Sequence, residues 1–335
     1  MVTIYDIAKK TGYSITTVSK VINNYQDVSE KTKKAIQLAL EENGYLPNSH
    51  ARTLTTKKSW TIGVVFTESL GVGMTHPFFN QVIESFRKQV EFSGYDLLFA
   101  SRSISNQKKS YLDHFRYRGV DGVVIVCSSY NEEQVQELME DSIPSVVIDL
   151  QSNKSSVVYS DNIDGSRMAV NYLYSLGHRA IAHISGDATL YAGEQRLLGY
   201  RQAIESLGLP NEERFIENGA YFSRDGGYKA MEKLLKLNQP PTAVYVAGDE
   251  MAIGAIQAIR SHGLEVPDDI SIVGFDDIEL AQFINPPLTT IKQKTVLIGI
   301  EAANLLIKQI DQKQKSIESL MIPVELVIRK SCRSL

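Results

Sequence analysis

The chain has 335 residues, 43% hydrophobic and 22% charged, which is too long for one ordinary core and has the balance of a globular protein with two or three domains. It contains no run of about 18 apolar residues, which excludes a transmembrane helix, and Asp6 and Lys9-Lys10 break any basic-then-apolar leader, so a cytoplasmic protein is expected. The cysteines, Cys127 and Cys332, offer no disulfide framework, and the six histidines are scattered without acidic companions at metal-ligand spacing.

The charge is uneven along the chain. Residues 1–60 hold nine Lys/Arg against five Asp/Glu (+4), while the whole carries −4, so residues 61–335 carry −8. A basic head on an acidic body suggests a polyanion-binding end, although +4 is also within reach of an ordinary surface.

Residues 3–45 read as three short helices. Thr3 caps the first, with Asp6 three residues on in a near capping-box pattern, and Ile4, Ile7 and Ala8 fall on one face. Gly12 ends it. Ser14 caps a second helix, ITTVSKVINN, with Val18, Val21 and Ile22 inward. Ser29 caps a third, with Thr32, Ile36, Ala39 and Leu40 inward, stopped by Asn43-Gly44. Two helices joined by a short Gly-containing turn form a helix-turn-helix. Thr16 and Thr17, β-branched and polar at the start of the second helix, gain nothing in a core but suit contact with base edges.

The stretch PNSHARTLTTKKSW (47–60) joins head to body. Pro47 and Asn48 can start a two-turn helix over about 49–56, too short to be stable alone in water.

After residue 60 short Val/Ile-rich runs alternate with amphipathic stretches. Strands are expected at 61–66, 95–100, 122–126, 145–149, 180–185, 242–247 and 270–276. Helices are expected near 78–93, 105–118, 131–141, 163–176, 193–207, 224–237, 249–262 and 294–311. Repeated βαβ units predict parallel sheets covered on both faces, and so many strands predict two sheets in two lobes. Ligands of such folds lie beyond the carboxyl ends of the strands, which draws attention to Asp149, Asp249 and Asp276. For Asp249, directly before a helix, an N-cap role is the stronger alternative. GxGxxG, the Walker pattern and GxSxG are all absent from the sequence, so no enzyme is expected.

Four segments then stand out: TIYDIAKKTGYSITTVSKVINN, YLPNSHARTL, DNIDGSRMAVNYLYSLGHRAIAHISG and VGFDDIELAQFINPPLTTIKQ. In that order, and over essentially the whole chain, they resemble the LacI/GalR family of lactose and purine repressors. The resemblance implies an α/β protein with an all-α helix-turn-helix head, a hinge helix, and a two-lobed body like periplasmic binding proteins, with parallel sheets. The implied domains are 1–46 (DNA-binding), 47–60 (hinge helix and linker) and 61–335 (effector binding and dimerisation). Lobe 1 is then about 61–160 plus 291–320, and lobe 2 about 161–290 plus 321–330, which holds the last strand, MIPVELVI.

By resemblance the second helix enters the major groove of double-stranded operator DNA. Ile15, Thr16 and Lys20 occupy the specificity positions, where Lys20 replaces an Arg common in the family and lacks its bidentate fork. Tyr5, Ser14, Thr17, Ser19 and Tyr45 fall at phosphate-contact positions; packing of the head is the alternative for the two tyrosines. Ala51, Arg52 and Leu54 fall on a hinge helix lying in the minor groove, Leu54 wedging between base pairs.

Phe79, Asp149, Arg196, Phe222, Asp249, Asp276 and Gln293 match positions around the effector cleft, a set suited to a small carbohydrate. For Arg196 a purely structural ion pair is the alternative. Leu190 stands where purine-responsive members keep Arg, and Gly248 where many sugar-responsive members keep Asn. Asn304 stands where catabolite-control members, which use a phosphorylated carrier protein as co-repressor, would have Arg, although Lys308 remains. Only Arg329 to Leu335 follow the last strand, too few for a heptad zipper, so a homodimer is expected. No cofactor, metal or membrane partner is implied. The expected function is a sugar-released repressor; the alternatives are a catabolite-control regulator and a sugar-binding receptor.

Overall fold

The computed structural model describes the chain apart from residues 1, 24, 26, 46–57, 67–72, 101–102, 105–106, 109, 127–131, 221 and 314. Contacts divide it into two units, Met1–Thr61 and Ile62–Leu335. The hinge positions Ala51, Arg52 and Leu54 lie outside the described residues.

The first unit holds α1 (Ile4–Thr11), α2 (Ile15–Ile22) and α3 (Glu30–Glu42). Each begins on the residue the sequence predicts. Thr3 and Asp6 form a full capping box, Ser14 accepts from the Thr17 amide and Ser29 from the Thr32 amide. Gly12 ends α1 at φ 73°, a left-handed conformation that favours glycine. Ile7, Ala8, Val18, Val21, Ile36 and Ala39 form a small buried core, with Tyr13 and Tyr45 packed at its edge.

The second unit contains two six-stranded sheets. In chain order the elements are β1 (Thr61–Phe66), α4 (Pro77–Phe92), β2 (Asp96–Phe99), β3 (Ser103–Ile104), β4 (Gln107–Lys108), α5 (Tyr111–Arg118), β5 (Gly122–Val126), α6 (Glu133–Glu140), β6 (Ser145–Ile148) and β7 (Ser156–Ser160). There follow α7 (Asn162–Ser175), β8 (Ile181–Ser185), α8 (Tyr191–Ser206), β9 (Ile216–Asn218), α9 (Arg224–Leu235), β10 (Ala243–Val246), α10 (Asp249–Ser261), β11 (Ser271–Asp276), β12 (Thr289–Lys292), α11 (Thr295–Gln312), β13 (Ser319–Ile322) and β14 (Glu325–Val327). The strand orders are β13-β7-β6-β5-β1-β2 and β14-β12-β11-β10-β8-β9, with β3-β4 a separate small hairpin. The β12–β14 pairing is antiparallel, and the β5, β6, β7, β10 and β11 ladders are parallel.

Both faces of the central strands of each sheet are buried, as continuous apolar strands such as GVVIV require. In the second sheet Ile181, Tyr245 and Phe275 face α7 and α8, while Ala182, Val244 and Val246 face α9 and α10. In the first sheet one face meets α5 and α6 through Phe115, Leu138 and Met139. The other lies so close to α11 that a Cβ at Gly122 would come within 2.9 Å of Ile310.

Four expectations need correction. MIPVELVI is not one strand: Pro323, with no amide hydrogen to donate, separates β13 in the first sheet from β14 in the second. The chain leaves the second sheet after Lys292, two residues later than expected, because β12 pairs with β11. Strands β3, β4, β7, β9 and β12 were not expected. The helix expected from 105 begins at Tyr111, where Ser110 accepts from the Asp113 amide.

Candidate functional site

The head presents a coherent polar face. Thr16 and Lys20 are one helical turn apart on α2 and so share a side. Ile15 is 41% exposed, an apolar residue with no core to enter. Tyr5 is 67% exposed, which removes core packing as its role. Tyr45 is half-buried against the core and supports the fold whatever else it touches. Ser14 Oγ is already engaged, accepting from the Thr17 amide at 3.1 Å and sharing a 2.8 Å hydrogen bond with the Thr17 hydroxyl. Ser19 accepts from Asn23 at its carbonyl (2.9 Å) and its hydroxyl (3.4 Å). Lys20 is ion-paired with Asp27, an acid that sequence reading passed over.

In the body, the carboxyl ends of both sheets bring most of the expected residues together. Asp149 follows β6 in a left-handed conformation at φ 57°; Asp276 closes β11 at φ 116°, and Asp277 follows at φ 57°. Such positive φ values hold the carboxylates off the strand line at an energetic cost. Arg196, on α8, is buried among them. Its Nε donates to Asn162 Oδ1 at 2.8 Å, and its Nη1 to the Ala247 carbonyl at 2.6 Å and to Asp276 at 3.5 Å. Phe275 lies 3.7 Å from the guanidinium carbon and Phe222 5.6 Å. Gln293, on the segment leaving β12, donates to Asp276 at 2.7 Å.

Two acceptors at this floor, Asp149 Oδ1 and Gln293 Oε1, are buried without a hydrogen-bond partner. Burial raises the Asp149 pKa, opposed by the charge of Arg196 and a hydrogen bond from Asn162. Burial likewise raises that of Asp276, opposed first by Arg196 and then by His76. His76 precedes α4 of the first sheet's lobe, so it acts electrostatically across to the second sheet. Phe79 lies behind it, ring centroids 5.0 Å apart, with Phe66 and Phe78 edge-on.

Phe222 adopts φ 56° and folds onto the ends of β8 and β10. A Cβ at Gly186 would sit 2.1 Å from its ring and one at Gly248 3.2 Å. The ring therefore crowds position 248, where a larger side chain would press on it.

Asp249 does not join this group. It is fully buried, its Oδ1 accepting from Thr290 at 2.6 Å and its Oδ2 from the Ile278 amide at 2.9 Å. Nor does its side chain cap the helix, since Gly248 is the N-cap residue. It ties α10 to β12 and to the loop after β11. Burial and then the neighbouring Asp276 charge push its pKa well up.

Sequence reading missed Asn162 and His76. Asn162 was legible in principle, because it follows a strand's carboxyl end once β7 is recognised. His76 was not, because only the tertiary structure turns it toward Asp276. Among the described residues no group of three or more His, Cys, Asp or Glu could hold a metal ion, and no helix is long and apolar enough to cross a membrane.

A helix-turn-helix unit attached to a two-sheet α/β body with polar strand ends defines a DNA-binding regulator with a ligand-receiving domain. Residues 3–48 match the family model "Bacterial regulatory proteins, lacI family", and residues 170–332 match "Periplasmic binding protein-like domain". The chain is 35% identical to an HTH-type transcriptional repressor PurR of Histophilus somni over 339 residues, and to one of Haemophilus influenzae over 341, covering 100% of each chain in both cases. Among solved structures it is similar to a lac repressor dimer bound to operator and the anti-inducer ONPF (TM-score 0.82, 29% identity, 99% of each chain). It is also similar to a complex of the transcriptional regulator CelR with cellobiose (TM-score 0.73, 30% identity, 99% of this chain and 100% of that one). The chain belongs to the LacI family and is a DNA-binding transcriptional repressor.

Proposed function

We propose that this repressor controls carbohydrate utilisation and is released from a palindromic operator when a small sugar binds between the two sheets. The observation that carries this is the pair of buried acceptors, Asp149 Oδ1 and Gln293 Oε1, left without donors. Leaving such groups unmade is costly, and hydroxyl groups are dense donors that would satisfy them. Phe222 supplies an aromatic face for the apolar side of a sugar ring. The CelR structure, with its cellobiose, provides a precedent on a similar fold. A ligand preferring one lobe arrangement roughly 100-fold would shift the balance by about 2.7 kcal/mol per site.

A second reading has a nucleobase-type ligand, in line with the PurR names of the 35% identical relatives. Against it, Leu190 offers no guanidinium at the position noted above. A carrier-protein co-repressor is disfavoured as well: Asn304 accepts from Gln89 at 2.9 Å, and Lys308 pairs with Glu318 at 2.8 Å.

The roles assigned to Ile15, Thr16 and Lys20 as base readers, and to Tyr5, Ser14, Thr17, Ser19 and Tyr45 as phosphate contacts, belong to this proposal. So do a minor-groove hinge through Ala51, Arg52 and Leu54, and a homodimer that presents two heads to two half-sites. Leu54→Ala is expected to weaken operator binding by a few kcal/mol and leave sugar affinity unchanged; an unaltered operator affinity removes the wedge. The central experiment is a gel-shift titration against mono- and disaccharides and nucleobases. Release by a sugar supports the reading, whereas tighter binding with a nucleobase and no response to sugars overturns it.

A further inference from the structure

We propose that Asn162 is the positioning residue of this cleft: it holds the Arg196 guanidinium apart from Asp149, so that both groups stay open for the ligand. This rests on the reading of the cleft as the effector site and does not depend on the effector being a sugar.

The two groups are complementary and unjoined. Arg196 gives Nε to Asn162 Oδ1 at 2.8 Å, and Nη1 to the Ala247 carbonyl at 2.6 Å and to Asp276 at 3.5 Å. Its Nη2, which carries two N–H donors, has no partner among the described residues. Asp149 Oδ1 is buried and also without a partner, and the charge of Arg196 acts on that carboxyl. Guanidinium–carboxylate bonds are among the strongest side-chain contacts, so two open members kept apart require a restraint.

Asn162 is built to be that restraint. It is 2% exposed, and its amide can point only one way. Its Nδ2 donates to the Ser160 carbonyl at 3.1 Å, and its side chain also hydrogen-bonds Asp149, which leaves Oδ1 as the acceptor for Nε. One amide thus grips both charged groups. The Nε contact and the two Nη1 contacts lie on different edges of the guanidinium and fix its rotation in its own plane. Phe275, 3.7 Å from the guanidinium carbon, bounds one face.

The backbone under Asn162 is equally fixed. Asn162 is the first residue of α7, whose N-cap, Asp161, accepts from the Asp164 amide at 3.0 Å and donates its own amide to Ile322 at 2.9 Å. The Asn162 carbonyl accepts from the Ser166 hydroxyl at 2.9 Å. Helix α8, which carries Arg196, is pressed onto this same turn. A Cβ at Gly199 would come within 2.6 Å of the Ile163 carbonyl oxygen and 2.8 Å of Ser166 Cβ. Glycine at 199, about one turn beyond Arg196, lets the two helices close far enough for residue 196 to reach residue 162. Ser160 ends β7 in the first sheet, so the amide also ties Arg196 to the point where the chain passes from one sheet to the other.

The test has two arms on the full-length protein. The first needs no ligand: solvent exchange of the Arg196 Nε–H is followed by NMR, the signal being assigned by its loss in Arg196→Lys. The signal is expected to be protected in the ligand-free wild type and unprotected in Asn162→Ala. An Nε–H that exchanges freely in the wild type, or one that stays protected in Asn162→Ala, overturns the proposal. Asn162→Asp keeps an oxygen for Nε and is the second variant, expected to retain the protection, should the alanine form not fold. The second arm is calorimetric titration with glucose, galactose, ribose, maltose and cellobiose, the tightest binder serving as probe. Asn162→Ala is expected to weaken that probe on the order of 10-fold or more in the wild-type background and hardly at all in Arg196→Lys, where there is no Nε–H left to hold. An equal loss in both backgrounds makes Asn162 a structural residue and overturns the proposal. Binding of none of these sugars counts against the carbohydrate reading, while the exchange arm still decides the role of Asn162.

Discussion

At the scale of single residues, Lys20 and Asp27 show how a small neighbour alters a motif. Sequence reading noted that Lys20 lacks the fork of arginine; the structure adds that its ammonium is held by Asp27. Both side chains are substantially exposed, so the pair contributes little to stability; in the role proposed for Lys20 it matters through its charge. Asp27→Asn is expected to tighten binding to operator and to random DNA several-fold and to steepen the salt dependence, measured by anisotropy across salt concentrations. His183 is the opposite case. It is fully buried and stacked between Tyr200 and Tyr245 at 4.9 and 4.6 Å. Burial pushes its pKa from 6.5 down to about 3. Unfolded chains take up that proton near 6.5 and the folded protein does not, so stability present above that pH is lost as pH falls toward 3. The loss is on the order of 4 kcal/mol. Asp149, Asp249 and Asp276, with raised pKa values, work in the other direction over the acid range. His183→Phe, which keeps the stack without titrating, isolates the effect: the variant is expected to lose less stability than the wild-type protein between pH 7 and 4 in urea melts.

At the scale of elements, the caps were the most legible features, because a cap is a local hydrogen bond between residues two or three apart. Thr3, Ser14 and Ser29 stand where a side-chain acceptor is required, and Gly12 where the backbone turns left-handed. Ser14→Ala is expected to cost about 1 kcal/mol of head stability through the lost cap. Ser14→Asp keeps the cap but adds a charge. If Ser14 also meets a phosphate, the aspartate variant retains its thermal stability and loses operator affinity; equal affinity would leave Ser14 a cap alone. The strands were less even. β5 and β6 are continuous Val/Ile runs and are read at once. β7 and β12 carry serine and threonine, whose strand character comes from neighbours on both sides rather than from their own pattern.

At the scale of the whole molecule, the body leaves apolar side chains uncovered. Phe99 is 43% exposed and Phe283 71%. Two surface cavities, one reaching Phe99 and the other Phe283, share Asn80, so these residues belong to one continuous face. A face of this kind fits the proposed twofold association. Phe99→Asp with Phe283→Asp is expected to give a monomer in sedimentation, with operator affinity reduced by orders of magnitude and effector affinity retained. A double variant that stays dimeric places the association elsewhere.

Periodicity, caps and motif order in the sequence alone were enough for a three-helix reading head, an alternating α/β body and the LacI family, because those signals are local or repeat along the chain. The cleft was legible only as a list of residues. Tertiary structure decided which of them meet. It moved Asp249 out of the group by giving both its oxygens to Thr290 and Ile278, and it brought in Asn162 beneath Arg196. It split MIPVELVI between two sheets and set Phe222 into the space left by Gly186 and Gly248. These outcomes depend on contacts between residues dozens to hundreds of positions apart, and burial and hydrogen-bond satisfaction are settled only where such segments converge.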